Sequence, residues 1–255
     1  MPLSSYEQLL KDRMGLHSAT IGSATVAQAV ERRMRVCGID ETGAYAQILR
    51  HSDTELDALI EAVVIPETWF FRDRKPFDAF RHWVESEWLP NNAFQPLRIL
   101  SVPCSSGEEP YTLAMCLSDA GLPAAAGQID AVDISSANIE KARDAFYGAN
   151  SFRGNDLAFR DKHFVAEDKH FRLNEDIRSR ARFAQANILD NSFTRDRAAY
   201  HVIFCRNLLI YFDRPTQEQA IDRLDGMLDK KGLLFLGHSE TSLLLERAYK
   251  PLEYS

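Results

Sequence analysis

Four stretches of the chain carry side chains fit for chemistry. "CSSGEEPY", residues 104–111, follows the apolar run "LRILSV" and opens a helical pattern on two carboxylates, Glu108 and Glu109. Asp133 closes the run "QIDAVD". "PETWFFRD", residues 66–73, puts Thr68, three aromatic rings and Arg72 into one short segment. "FCRNLLIYFD", residues 204–213, leaves an apolar run on Arg206 and Asn207 and reaches Tyr211. A helix N-terminus attracts anions, so a glutamate pair there would repel a phosphate. The glycine patterns that cradle a dinucleotide or a nucleoside triphosphate are both absent, and Gly107 is the loop's single glycine. The glutamates therefore have two readings: both steady the helix through its dipole, or one of them receives a cation. Asp133 either caps the next helix or accepts hydrogen bonds from ribose hydroxyls, the role of an acid at this place in a nucleotide-binding sheet. A ligand with a ribose, no phosphate and a positive charge is S-adenosylmethionine. Arg72, beside its aromatic cluster, suits bidentate binding of a carboxylate.

Such residues need a scaffold that gathers them. From residue 97, strand candidates ("LRILSV", "QIDAVDI", "YHVIFCRN", "GLLFLGH") alternate with helix candidates ("EEPYTLAMCLSDAG", "SSANIEKARDAFYG", "RPTQEQAIDRLDGML"). That alternation predicts an α/β domain: βαβ units and a parallel sheet covered on both faces. Ligands of such sheets sit at the carboxyl ends of the strands, where "PCSSGEE", Asp133, "AN" (Ala186, Asn187) and "CRNLLIYF" fall. Residues 149–186 interrupt the pattern with a polar, charge-rich lobe. Its alternating segments "HFRLN" and "ARFAQA" predict a small antiparallel piece. The first ~90 residues carry only helical signals. One helix is expected from Ser23, another from Ser52 or Asp53 until Pro66 stops it. A third, "KPFDAFRHWVESEWL", lines Phe77, Phe80, Trp83, Val84 and Trp88 along one side. Ser135 or Ser136 should cap the helix after Asp133, and Gly148 should lie just past its end.

Bulk properties exclude several classes. The net charge of −7 over 255 residues argues against general nucleic-acid binding. The longest apolar runs fall far short of the ~20 residues that span a bilayer. No charged-then-apolar leader is expected at the start. Cys37, Cys104, Cys116 and Cys205 form no CxxC pair, so metal or disulfide use is not expected and a reducing cytoplasm is. Cys205 is expected to pack rather than attack. His163 and His170 have no metal spacing and are expected to be solvated.

"PETWFFRD", "CSSGEEPYTLAM", "AVDIS…IEKA", "FCRNLLIYFD" and "GLLFLGHSE" occur in this order. Together they closely resemble the chemotaxis receptor methyltransferases, the CheR family. The resemblance implies a Rossmann-like methyltransferase domain with a small antiparallel β insert at about 149–186, preceded by a small all-α domain. The implied boundaries are 1–66 for the helical domain, 67–96 for a linker and connecting helix, and 97–255 for the methyltransferase domain. It also implies methyl transfer from S-adenosylmethionine to glutamate side chains on the cytoplasmic helices of a chemoreceptor. The products would be glutamyl methyl esters and S-adenosylhomocysteine. An alternative is a sensor or adaptor that binds either molecule without turnover. By position, Thr68, Arg72, Glu108, Asp133, Asn187, Ile188, Arg206 and Asn207 resemble the family's cofactor shell, and Tyr211 a tyrosine near the transferred methyl. Arg72 or Tyr211 would orient the substrate carboxylate. The family often has Asn where this chain has Pro66. A basic helix bearing Arg32, Arg33 and Arg35 resembles the one that meets acidic receptor helices; its other reading is a solvated face. A cytoplasmic monomer without bound metal or membrane insertion is expected. The chain stops at "YKPLEYS", soon after "GHSE", where relatives continue, so a shortened form is expected.

Overall fold

The computed structural model describes residues 2–64, 66–92, 95–195, 199–244, 247 and 249–251; the final residues of "YKPLEYS" lie outside them. The strands are β1 (Leu97–Ser101), β2 (Gly127–Asp133), β3 (Phe146–Gly148), β4 (Phe164–Glu167), β5 (His170–Leu173), β6 (Ala181–Gln185), β7 (Tyr200–Cys205) and β8 (Leu228–Leu236). Five of them make a parallel sheet in the order β6-β2-β1-β7-β8. From β1 the chain steps outward to β2 and β6, then returns to β7 on the other side. β1 is therefore the point where strand order reverses and a ligand crevice opens. β1 and β7 lie almost wholly buried, as near-continuous apolar strands covered by helices on both faces must be.

Three crossover helices follow the strands whose loops matter. Glu108–Asp119 follows β1, Ser136–Asp144 follows β2, and Arg214–Met227 follows β7. Ser135 caps the second, its Oγ accepting from the Asn138 N–H at 3.0 Å, and Asp213 caps the third at Thr216. The helix Lys75–Trp83 runs on through a widened turn, Val84–Trp88, and buries Phe77 and Phe80 against Phe204 of β7 at 5.6 and 5.7 Å.

The N-terminal domain packs helices Leu3–Met14, Ser18–Ile21, Ser23–Cys37, Thr42–His51 and Asp53–Val63 around Leu10, Val26, Val30, Tyr45, Leu49 and Leu59. Ser52 caps the last helix, which ends at Val63 before Pro66 as expected. Gly22, not Ser23, holds the cap position of the third helix, at φ +83°.

The inserted lobe differs from expectation in three ways. "HFRLN" does supply β5, the centre of a small antiparallel sheet ordered β3-β5-β4. "ARFAQA" does not belong there: it forms β6, the edge of the parallel sheet, paired from Ala181 with Ile129. An edge strand is half exposed, so its alternation is that of an antiparallel ribbon. The helix before the lobe ends at Asp144 with Ala145 at φ +52°, and Gly148 sits inside β3. His163 is not solvated but buried, its Nε2 3.0 Å from Asp119 Oδ1, and burial lowers its pKa. His170 is exposed and stacks on Phe146. Phe70 of the linker lies 5.2 Å from Phe152 and 5.0 Å from Phe164, so a buried aromatic cluster seats the polar lobe against the linker.

Candidate functional site

A cleft opens at the carboxyl ends of β1, β2 and β7. The linker and the helical domain close it, with Met14, Leu16, Val63 and Val64 in its wall. Of the residues nominated from sequence, Thr68, Arg72, Asp133, Asn187, Ile188, Arg206, Asn207 and Tyr211 line it. Four segments distant in sequence thus converge on one space.

The two glutamates sit differently in the structure. Glu108 is not among the lining residues; it is buried (2% exposed), accepting from Ser106 Oγ and Ser151 Oγ at 2.8 Å each. It braces the first loop against the segment after β3. Glu109, expected to be an unassigned first-turn acid, lies in the cleft wall. Its Oε1 accepts from Ser101 Oγ at 2.9 Å and its Oε2 from Arg206 Nη1 at 3.1 Å. Successive helical residues point about 100° apart, so only one of the pair can face the cleft. Burial raises the pKa of both; Arg206 opposes the shift at Glu109. A cation ending a fully buried strand needs a buried anion, and Arg206 was the sequence signal for Glu109. Gly107, just before them, has φ +98°, and a Cβ there would meet Tyr147 Oη at 2.8 Å and Ala142 Cβ at 2.9 Å. Only glycine fits that turn.

Asp133 organises the next loop. Its Oδ2 accepts from the Ser105 N–H at 2.7 Å and its Oδ1 from the Ser135 N–H at 2.9 Å. Ser135, not Asp133, caps the helix. Oδ1 is also approached by Asn138 Nδ2 at 3.5 Å, so the lone pair left over is that of Oδ2, and the residue lines the cleft. Burial raises the Asp133 pKa against these backbone donors. Glu61 of the helical domain accepts from Ser135 Oγ, Ser136 Oγ and the Ala137 N–H, clamping that domain onto the same loop.

The Arg72 segment is held under strain. Phe71 and Asp73, at φ +56° and +55°, flank Arg72; non-glycine residues in that region cost about 1–3 kcal/mol each. Arg206 holds the turn by donating from Nη2 to the Arg72 carbonyl at 3.0 Å and to Asp73 Oδ2 at 2.9 Å. Arg72 itself lies over the Trp69 ring, 4.7 Å from its centroid, and donates to the Glu67 carbonyl. Ser105 and Asn207, at φ +45° and +59°, bring two more strained turns to the cleft. Arg72 Nε, Arg206 Nε and Ser105 Oγ are buried and unpaired within the protein. Orphaned buried polar atoms are rare, and three in one wall fit a polar ligand.

Asn187 and Tyr211 tie the cleft to the helical domain. Asn187 Nδ2 donates to the Arg13 carbonyl at 2.6 Å, and the His17 N–H donates to the Tyr211 carbonyl at 2.8 Å. Sequence reasoning missed Glu240 of "GHSE". It is buried (1% exposed) and accepts from the N–H groups of Gly237, Asn207 and Ile210 at 2.7, 2.9 and 3.3 Å. A carboxylate a few residues past the apolar run "LLFL" was its signal. Cys205 is fully buried and burial pushes its thiol well up, which suits packing.

Residues 3–64 match the family model "CheR methyltransferase, all-alpha domain", and residues 66–253 match "CheR methyltransferase, SAM binding domain". The chain belongs to the CheR methyltransferase family. It is 44% and 41% identical to the probable biofilm formation methyltransferases WspC of Pseudomonas aeruginosa and Pseudomonas putida, over 97% and 96% of this chain. It spans 58% of the length of each. It is 35% identical to chemotaxis protein methyltransferase 2 of Vibrio cholerae, over 74% of this chain and 67% of that one. The fold expected from the resemblance is the fold found, and S-adenosylmethionine is the cofactor of the matching domain.

The basic helix of this CheR chain is narrower than its sequence suggests. Arg33 is turned inward: Nε and Nη2 meet Glu55 Oε1 and Oε2 at 2.9 and 2.7 Å. Arg32 and Arg35 are exposed, donating to the backbone carbonyls of Ala62 and Glu31.

Proposed function

We propose that the chain is a protein-glutamate O-methyltransferase, moving methyl from S-adenosylmethionine to glutamate side chains on receptor helices and leaving methyl esters. The observation that carries this reading is the cleft wall itself: Asp133, the Glu109–Arg206 pair, Arg72 and Tyr211 converge at the switch point of the sheet. We assign the domains as residues 1–66 for the helical domain, 67–96 for the linker and connecting helix, and 97–255 for the methyltransferase domain, a division the order of helices and strands supports.

S-adenosylmethionine, when bound, supplies an electrophilic methyl on a sulfonium. The chain's residues do the rest. Asp133 faces hydroxyl donors with the free lone pair of Oδ2, and Thr68, Asn187, Ile188, Arg206 and Asn207 complete the binding wall. Glu109 supplies negative charge towards a cationic ligand, while Glu108 acts from behind by fixing the loop. A glutamate carboxylate is already ionised near pH 7, so no general base is needed. Arg72 or Tyr211 orients that carboxylate, and the roof formed by the helical domain excludes water; orientation and desolvation supply the rate. Arg32 and Arg35 steer acidic receptor helices, an attraction that fades with salt. The protein works as a cytoplasmic monomer on receptors, and its WspC relatives, at 44% and 41% identity against 35% for the chemotaxis enzyme, favour a receptor of a biofilm pathway.

Calorimetry with S-adenosylhomocysteine should show binding, and labelled cofactor should place base-labile methyl on receptor-bearing membranes. No binding at millimolar ligand, or binding with no base-labile label, overturns the reading.

A further inference from the structure

Two guanidinium groups meet on one ring at the mouth of the cleft. Arg72 lies 4.7 Å and Arg153 4.4 Å from the centroid of Trp69. Trp69 and Arg72 line the cleft; Arg153 does not, so it stands just outside. Arg153 comes from the inserted lobe, yet its place is set by rigid neighbours. The Phe70 N–H donates to the Ser151 carbonyl at 2.9 Å, Ser151 Oγ donates to Glu108, and Phe152 stacks on Phe70 at 5.2 Å. Residues 151 and 152 are thereby pinned beside the Trp69 segment, so little backbone freedom remains to be lost there on binding.

At this ring two guanidinium groups meet one carboxylate, Glu67. Glu67 gives Arg72 only its carbonyl, and it meets Arg153 Nη1 at 3.5 Å, with both side chains about half exposed (57% and 49%). That distance marks a loose pair. A planar guanidinium on an aromatic face keeps its in-plane N–H groups free for a carboxylate, and Arg72 Nε is buried and unpaired.

We propose that Arg153 is a specificity-determining residue of this site. Arg72 faces the carboxylate to be methylated, and Arg153 takes a second carboxylate on the same acidic peptide segment. The cleft mouth thus selects a glutamate that has an acidic neighbour. This rests on the carboxylate-methylating activity proposed above.

The test measures initial rates on a soluble helical fragment of a methyl-accepting receptor. One version is intact; in the other, the acidic residues flanking the methylated glutamate are changed to glutamine. Arg153→Ala should raise KM for the intact fragment roughly fivefold, the scale of a partly exposed charge pair, with kcat and S-adenosylhomocysteine affinity unchanged. Arg153→Lys should recover part of the loss, and the effect should vanish on the neutralised fragment. An equal rise in KM on both fragments, or a parallel loss of S-adenosylhomocysteine affinity, would show that Arg153 only braces Trp69 and overturn the proposal. Wild-type protein that binds S-adenosylhomocysteine yet labels neither fragment would instead overturn the activity, and this proposal with it.

Discussion

Two arginine–glutamate pairs among the described residues are alike in composition and opposite in finish. In the helical domain, Arg33 grips Glu55 with two hydrogen bonds and Tyr45 Oη donates a third at 2.8 Å. Those bonds outweigh burial and hold the Glu55 carboxyl below its usual range. At the sheet edge, Arg206 gives Glu109 one hydrogen bond, Ser101 gives another, and Arg206 Nε is left unpaired. There burial outweighs the partners and Glu109 is pushed up. A fully hydrogen-bonded pair at the rim of a packed helical core is structural. A half-satisfied pair in a cleft wall, beside strained turns, marks a place where stability is given up for binding.

Removing each anion should separate the two. Glu55→Ala should cost about 3 kcal/mol of stability, the low end for breaking a buried pair, because Arg33 keeps a solvent-facing edge (20% exposed). Urea unfolding reads this, and S-adenosylhomocysteine affinity should not move; a matching loss of affinity would erase the distinction. Glu109→Gln should show the reverse order. It leaves Arg206 with only the exposed Asp73 as its anion and loosens the Arg72 turn, so affinity should fall about tenfold, or roughly 1.4 kcal/mol, with a smaller loss of stability. Affinity unchanged by calorimetry would make Glu109 another structural acid.

Asp73→Asn is a finer probe, because Asp73 lies outside the cleft wall and reaches it only through Arg206. Its side chain is 60% exposed, so the expected loss in kcat/KM is about threefold. Asp73→Gly, which removes strain and anchor together, should be worse in kcat/KM but not in stability. If both variants match wild type in kcat/KM, the turn is held without Asp73.

The smallest effect is in pH. Glu55 takes up a proton less readily when folded, so its contribution is present above the usual carboxylate range and is lost as pH falls. Glu109 takes up a proton more readily when folded, so its ionised form costs stability and protonation restores it. Between about pH 6 and pH 4, the stability lead of wild type over Glu55→Gln should shrink, and its lead over Glu109→Gln should grow. Slopes of the same sign would put both pairs in one class.

The elements themselves were largely legible. Long apolar runs such as "YHVIFC" and capped helices such as "SSANIEKARD" carry local signals that tertiary contacts did not overturn. "ARFAQA" was misplaced because alternation records exposure of one face, and both an edge strand and a hairpin have that. His163 seemed solvated because its lobe is polar; Asp119, 44 residues earlier in the chain, supplies the partner that lets it bury. Arg33 seemed a surface cation because its partner Glu55 is 22 residues away, on another helix.

By itself the sequence determined the α/β alternation, the helical domain, the family and the four stretches that form the cleft. These follow from periodicity, caps and residue types, which act over a few neighbouring residues. Only the tertiary structure decided which charge lines the cleft and which lies behind it. Glu108 and Glu109 are adjacent and chemically alike; Ser151 takes one and Arg206 the other. That choice depends on groups brought together from distant parts of the chain, where burial fixes the energy of a charge and no local pattern records it.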